Sequence, residues 1–526
     1  MSPAVATHQR RRVHTIPHKA ALAFADVDAA STPGLAEAAA ATLGNATAAI
    51  RLAFASYRPD GAWDEGAGYW GYGTRYALTA ATSLIAATGD DHGLAEHAAG
   101  FNETGSFCLY HMGPAGGRHA VFNWADAEES PCELVNLMQL GALFPATAAT
   151  NAPTARVMLD GDPDAPGHVP GAQAAKTCCV WYAGNACFAC VVGLASYSAA
   201  GTVAGLDGLL PLDYHYERRA VGFFRQSWTD PNASWLGFKG GNSTAPHNDL
   251  DAGTFVLDMA GQRWAVDLGG DNYALKGYWD YGTKDGQRYS YYRKSTRGHN
   301  TLTFGGWDGH PGPSGQRVNG ARMTMITEFR GGSTGGGPKH AAVDLSRAYS
   351  HQGPSSVVRS FDWNAGMTTL AITDAFGWAA TGDDADHGHD ATAAAAAAGL
   401  GLNLTWAMHT RAAIAITAAS ADAPSRAVLS QGGVELVAVL HAPAGASFTS
   451  TAVHAPSPEK ATDGIFKLMV EIASPAVKAA ESIRVSFTAG GASVPPPPPP
   501  PRQLLVAPED WNANQRGMEW PPRSSA

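Results

Sequence analysis

Three short stretches of the chain hold most of the side chains that could do chemistry. In RPDGAWDEGAGYWGYGTRY (58–76), aromatic rings and carboxylates are interleaved with glycines behind a Pro59-Asp60-Gly61 turn signal. Glycine lets a backbone approach a ligand closely, and rings mixed with carboxylates suit a sugar, whose apolar face stacks while its hydroxyls find oxygen acceptors. The same residues would also serve as a helix N-terminus with packed aromatics. In HNDLDAGTFVLDMAGQRWAVDLGGDNY (247–273), His247, Asp249 and Asp251 recur at a period of two ahead of a hairpin pattern. An extended segment turns such residues to one face, where they can converge on an ion. A turn centred on Gly261 sets Asp267 opposite Thr254 or Phe255, and Gly253 supplies the bend that brings Asp249 back over the sheet. In YYRKSTRGHNTLTF (291–304), His299 precedes a strand, with Arg293 and Arg297 beside it. Neutral imidazole ligates metals, and guanidinium grips a carboxylate with two parallel bonds. One histidine among nineteen is ordinarily a core or surface residue, so the signal lies in its company.

The six cysteines, Cys108, Cys132, Cys178, Cys179, Cys187 and Cys190, are too few for a disulfide scaffold at this length. Cys187 and Cys190 lie three apart, on one helix face, which zinc could use. Buried thiols in an apolar helix explain CCVWYAGNACFAC (178–190) more simply.

These stretches need elements to position them. From about residue 32 the pattern is helical, opening on Thr32-Pro33 as cap and first helical position, with predicted helices over 35–57, 69–87, 129–144 and 172–199. Near Leu212 the texture changes to Val-, Phe-, Trp- and Tyr-rich runs: 220–228, 254–259, 263–268, 300–306, 434–442 and 482–490. An alanine-rich stretch at 391–398 reads as an insertion, and Pro495 to Pro501 as a stiff spacer. The expected organisation is an irregular 1–31, a helical domain over 32–211, an antiparallel β domain over 212–490 and a disordered tail over 491–526. Helices first and strands second, without βαβ alternation, predicts an α+β multidomain protein with its site in the cleft between the two parts.

At 526 residues, 45% hydrophobic and 16% charged, the chain can bury several domain-sized cores. A formal charge of −10 offers no general attraction for nucleic acid, so an anionic ligand must be met locally. No run reaches the roughly 18–20 apolar residues of a membrane-spanning helix, and MSPAVATHQRRRVHT lacks the apolar core of a secretory signal. Sequons at Asn45, Asn102, Asn232, Asn242 and Asn403 matter only in a secretory pathway, and chance accounts for them in a Ser/Thr-rich chain. Oligomeric state leaves no trace in the sequence.

The W-x-EG-x-GYW-x-YG block from Trp63 to Gly73, the HNDLDAGTFVLD and WAVDLG runs, and GHNTL at 298–302 resemble, in this order, the heparinase II/III-like family. The flanks WLGFKGG (235–241) and FNWAD (122–126) extend the resemblance to roughly residues 35–490. It implies an α/α toroid followed by an antiparallel β-sandwich, and cleavage of uronic-acid polysaccharides, of glycosaminoglycan or alginate type, by β-elimination. By resemblance Tyr69 is the acid, and also a candidate base, and His247 a base or carboxylate partner. Trp63, Glu65, Trp70, Tyr72, Arg293 and Arg297 are then expected to bind substrate. Asp249, Asp267 and His299 fill metal-ligand positions, zinc first, with manganese or calcium favoured more than usual because an aspartate stands where the family has a histidine. The resemblance also places further toroid helices and a substrate-binding Asn or His motif ahead of about residue 20, so a partial toroid is expected. An exported or cell-envelope location follows from the same source. Two other readings compete: a toroid glycoside hydrolase with Asp64 or Glu65 as acid, and a non-catalytic carbohydrate-binding protein.

Overall fold

The computed structural model describes residues 34–490 apart from 95–98, 116–119, 131, 161–195, 197, 203–204, 242, 244, 281–286, 305–314, 317–323, 332–336, 350–353, 379–402 and 474–479. All but the last few residues of the predicted helix over 172–199, its four cysteines, Asn242, the 391–398 stretch and the proline run lie outside the described residues.

The helical part contains α1 (Leu35–Phe54), α2 (Gly66–Thr88), α3 (Thr104–His111), α4 (Leu134–Leu143) and α5 (Ala148–Asp160). Alanine and leucine dominate α1, as helix propensity requires. Gly89 ends α2 at φ 74, its N–H bonded to the Ile85 carbonyl, a left-handed cap that glycine adopts without a Cβ clash. Helix α2 begins three residues before the predicted start at 69, so Tyr69 sits in its first turn. Two helices escape the sequence patterns for visible reasons. Seven of the eight residues of α3 are buried, leaving no amphipathic stripe, and α5 carries Pro153. Cys108 of α3 and Cys132 form a disulfide with Cα atoms 5.9 Å apart, a pairing that the cysteine count did not suggest.

Strands β1 (Tyr214–Tyr216), β2 (Val221–Arg225), β3 (Trp235–Lys239), β4 (Phe255–Met259) and β5 (Gln262–Ala265) make a five-stranded meander in chain order. The β4–β5 turn holds Ala260 at φ 50 and Gly261 at φ 74, the two left-handed residues that a tight hairpin of this twist needs. Then follow β6 (Leu302–Phe304), β7 (Met325–Arg330), β8 (Lys339–Asp344), β9 (Pro354–Trp363), β10 (Thr369–Trp378), β11 (Leu404–Thr410), β12 (Ala413–Thr417), β13 (Arg426–Gln431), β14 (Val434–Ala442), β15 (Phe448–Ala452), β16 (Phe466–Ile472) and β17 (Ser482–Ala489). They form an eight-stranded sheet, β12-β13-β14-β17-β10-β9-β8-β7, and a four-stranded one, β15-β16-β11-β6, with every pairing antiparallel.

The five-stranded sheet joins the two parts. Every residue of β2, β3 and β4 is buried. Phe223, Trp235 and Val256 pack with the helical core of Phe54, Trp70 and Leu137. Their chain neighbours Phe224, Leu236, Phe255 and Leu257 pack with Trp363, Trp406 and Phe487 of the other sheets. Successive side chains of a strand point to opposite faces, so a sheet apolar on both faces can only be an inner layer. Loops leaving this layer are therefore anchored from both sides.

Two buried groups fix those loops. Arg359 on β9 pairs with Asp374 at 2.7 Å and donates to the carbonyls of Gly253 and Asn300, each at 2.7 Å. Asn300 donates to the carbonyls of Phe255 and Val266 at 2.7 and 2.9 Å, and accepts the His409 N–H at 2.6 Å. The loops carrying Asp249 and His299 are thus tied to one guanidinium. Gly253, at φ 83, makes the expected bend, and a Cβ there would come within 2.7 Å of Leu345.

Candidate active site

Where the first turn of α2 meets the 247–253 loop, the Tyr69 and His247 rings stack at 3.7 Å between centroids, tilted by 26°. The two groups are almost 180 residues apart in sequence, and the inner sheet brings them together. The Tyr69 hydroxyl also shares a 2.6 Å hydrogen bond with that of Tyr273. Trp279 stands edge-on to His247 at 5.4 Å and to Tyr273 at 4.7 Å. Tyr273 and Trp279 are 41% and 48% exposed, which leaves apolar ring surface for a sugar at this spot.

His247 adopts φ 64, a left-handed backbone that costs a non-glycine residue about 1 kcal/mol or more. Arg288 holds it there, donating from Nη2 to the His247 carbonyl at 2.7 Å and from Nε to that of Asn248 at 3.0 Å. Behind the imidazole, Asp126 Oδ2 lies 2.9 Å from Nδ1. Asp126 Oδ1 accepts from Lys294 Nζ at 2.8 Å, Arg288 Nη2 at 3.1 Å and the Tyr278 hydroxyl. Burial by itself would raise this carboxyl, but Lys294, Arg288 and then His247 hold it well below the usual range. An ionised Asp126 accepts a hydrogen bond from Nδ1–H and so favours the tautomer of His247 with its lone pair on Nε2, the form a general base needs.

Beneath this dyad lies a buried charge network. Asp249 Oδ1 accepts from Arg288 at 3.2 Å and Oδ2 from Lys294 at 3.0 Å. His299 Nδ1 is 3.3 Å from Asp267 Oδ2, and Asp267 Oδ1 accepts the Gly269 N–H at 2.7 Å. Burial pushes the Asp249 carboxyl up despite Lys294, Arg288 and His299. For Asp267 burial acts in the same direction, but the His299 bond and charge outweigh it and lower the carboxyl. His299 is raised, burial being outweighed by Asp267 and then Asp249.

Asp249, Asp267 and His299 therefore do converge, but as arranged they do not offer a divalent ion an open set of ligand atoms. Both Asp249 oxygens accept from buried cations, and both Asp267 oxygens have donors. The His299 Nε2, buried and without a hydrogen bond, faces Asp249 Oδ2 at 3.8 Å. An ion joining that pair would share Asp249 Oδ2 with the Lys294 ammonium. Like charges 4 Å apart repel by about 4 kcal/mol per pair of unit charges at an effective dielectric of 20. Among the described residues no three His, Cys, Asp or Glu side chains are disposed to hold an ion. Asp251, the third member of the period-two series, pairs with Lys239.

The remaining expected substrate-binding residues fall in three places. Tyr72 meets Tyr69 edge-on at 6.3 Å and is part-exposed. Trp63, Glu65 and Trp70 face inward instead of toward a glycan, at 3%, 2% and 0% exposure. Trp63 donates to Glu65 at 3.2 Å and Trp70 to Thr104 at 2.8 Å, because a buried indole N–H needs an acceptor. Arg293 donates to the carbonyls of Leu268 and Ala461, and Arg297 lies over the Tyr292 ring at 5.4 Å. Asp64, the hydrolase acid candidate, pairs with Arg219 at 2.7 Å. Sequence reasoning missed Asp126, Tyr273, Tyr278, Trp279, Arg288 and Lys294. Asp126 lay in the FNWAD flank, and the aromatic run DNYALKGYWDYG (271–282) carried a signal for Tyr273 and Trp279.

The sequence model of the family described as "Heparinase II/III-like, C-terminal" matches residues 219–484. No curated protein matches the chain by sequence. Among solved structures, the heparinase III BT4657 gene product superposes with a TM-score of 0.58 at 13% identity, covering 90% of this chain and 58% of its own. Heparan sulfate lyase HepC from Pedobacter heparinus gives 0.57 at 12% identity, covering 92% and 60%. A further heparinase III structure gives 0.57 at 11% identity, covering 86% and 57%. The chain thus spans less than two thirds of the length of these structures, and the likeness is one of fold.

Proposed function

Because the chain belongs to the heparinase II/III-like family, we propose that it is a polysaccharide lyase, cleaving a uronate-containing glycan by β-elimination at the Tyr69–His247 pair. The observation that carries this reading is the stack of those rings at 3.7 Å with Asp126 2.9 Å behind the imidazole. It joins a phenol and a polarised base beside exposed aromatic rings. In the proposed reaction His247 Nε2 takes the C5 proton of the uronate. The C5–H electrons form a C4=C5 double bond, the C4–O bond breaks, and the departing oxygen takes a proton from Tyr69. The Tyr273 hydroxyl, 2.6 Å away, steadies the Tyr69 oxygen as its proton moves. Tyr273 and Trp279 supply the stacking surface, with Tyr72 at its edge. No step is routed through a metal.

The test is to incubate the full chain with glycosaminoglycans and alginate and analyse the new ends. An unsaturated uronate at the non-reducing end, lost in Tyr69→Phe, is the expected result. Saturated ends carrying added water would overturn the lyase in favour of a hydrolase. Glycan binding without cleavage by the folded chain would leave a carbohydrate-binding protein.

A further inference from the structure

The buried network under His247 contains more cationic side chains than metal ligation would leave room for. Three carboxylates, Asp126, Asp249 and Asp267, lie with one ammonium, one guanidinium and the His299 imidazole. Lys294 and Arg288 each bridge Asp126 to Asp249, and Asp126, Asp249, Lys294 and Arg288 have side chains with no solvent exposure. Two of the three carboxylates are thus met directly by the two buried cations, while Asp267 is held by the His299 ring and the Gly269 N–H. A buried carboxylate must be compensated by a cation, and protein donors do this as well as an ion when they satisfy its lone pairs.

We propose that the Lys294 ammonium and the Arg288 guanidinium stand in for a divalent ion in this protein. They lock Asp126 and Asp249 together and present His247 without any metal. Lys294 bonds Asp249 at 3.0 Å and Asp126 at 2.8 Å, so one side chain links the residue expected to ligate metal to the one that orients the imidazole. Arg288 makes the same link at 3.2 and 3.1 Å and also holds the left-handed backbone of His247 through its carbonyl. Both residues act as positioning groups, through Asp126. The His299 Nε2 faces Asp249 Oδ2 at 3.8 Å without a hydrogen bond, and that carboxylate oxygen already accepts from Lys294 at 3.0 Å. The inference concerns how the site is assembled and holds whichever bond the site acts on, so its failure and that of the lyase reading are separable.

The experiment uses the full chain, purified without chelator and then treated with EDTA. Metal analysis is expected to find far less than one zinc, manganese or calcium ion per chain. Tm is expected to be unchanged by EDTA or by adding back Zn2+, Mn2+ or Ca2+. One tightly held ion per chain, whose removal lowers Tm, overturns the proposal. In Lys294→Met the two carboxylates lose their shared ammonium. Tm should then fall by several degrees and rise again with added Zn2+ or Mn2+, a response absent from the wild type. A folded Lys294→Met protein with wild-type Tm and no response to ions also overturns it. If that variant does not fold, the metal content and EDTA response of the wild type still decide.

Discussion

Replacing Asp126 by asparagine keeps the shape of the side chain and removes its charge. In the wild type, Oδ1 accepts from Lys294, Arg288 and Tyr278, while Oδ2 faces His247 Nδ1 at 2.9 Å. An asparagine must leave its carbonyl oxygen among those three donors, so its amide NH2 falls on the imidazole side. His247 Nδ1 then has to accept, its proton moves to Nε2, and the base is lost. Holding a catalytic imidazole in the wrong tautomer costs about two to four powers of ten in rate, or about 3–5 kcal/mol of transition-state stabilisation. Folding stability falls as well, by about 3–5 kcal/mol, since Lys294 and Arg288 lose one of their two buried carboxylates. Two measurements separate these effects. Nitrogen NMR of the His247 ring should report an Nδ1 proton in the wild type and an Nε2 proton in the folded variant. Formation of unsaturated uronate, followed by its ultraviolet absorbance, should fall by at least about a hundredfold. A folded variant that keeps the Nδ1 proton and a rate near the wild type would refute the role given to Asp126.

Other consequences are as direct. Trp279→Ala removes a half-exposed ring beside His247 and should weaken glycan affinity or raise KM roughly 3- to 10-fold, with kcat little changed, on a stacking energy of about 0.5–1.5 kcal/mol. Equal losses in kcat would place the ring in the chemistry instead. Arg359→Met strands a fully buried Asp374 and releases the Gly253 and Asn300 carbonyls, and should cost about 3–5 kcal/mol in denaturant unfolding. The double replacement Arg359→Met with Asp374→Leu should recover part of that loss, because no buried charge is then left alone. His111, in the core, donates from Nδ1 to the Phe107 carbonyl at 2.7 Å and accepts from Trp124 at 3.0 Å, and burial lowers it to about 3. The unfolded chain then binds a proton below about pH 6.5 that the folded chain refuses, so stability falls as pH drops from there toward 3. Between pH 8 and pH 5 this amounts to about 2 kcal/mol. Urea unfolding at both pH values should show His111→Gln lacking that part of the acid sensitivity; an unchanged difference would remove His111 from the explanation.

Much of the architecture was legible in the chain itself. Alanine- and leucine-rich helical patterns from about residue 32, then period-two apolar strands from about 212, predict helices followed by antiparallel sheets, because local propensity and patterning act over a few residues. The hairpin at Ala260-Gly261 and the bend at Gly253 were equally local, since both require left-handed backbone. His247, Asp249, Asp267 and His299 could be picked out by type and spacing, and Tyr69 by the resemblance to the family. Their partners could not. Asp126 lies 121 residues from His247, and Lys294 lies 168 from Asp126 and 45 from Asp249. Nothing in the local sequence says that a lysine five residues before His299 will turn inward onto two aspartates. The inward turn of Trp63, Glu65 and Trp70 has the same origin: an aromatic residue near a helix start suits a core or a sugar equally well until the helices around it are packed. Residue types and local geometry could be read directly, whereas the sharing of buried charges depends on distances between segments, which exist only once the inner sheet has drawn the helices and the sheet loops together.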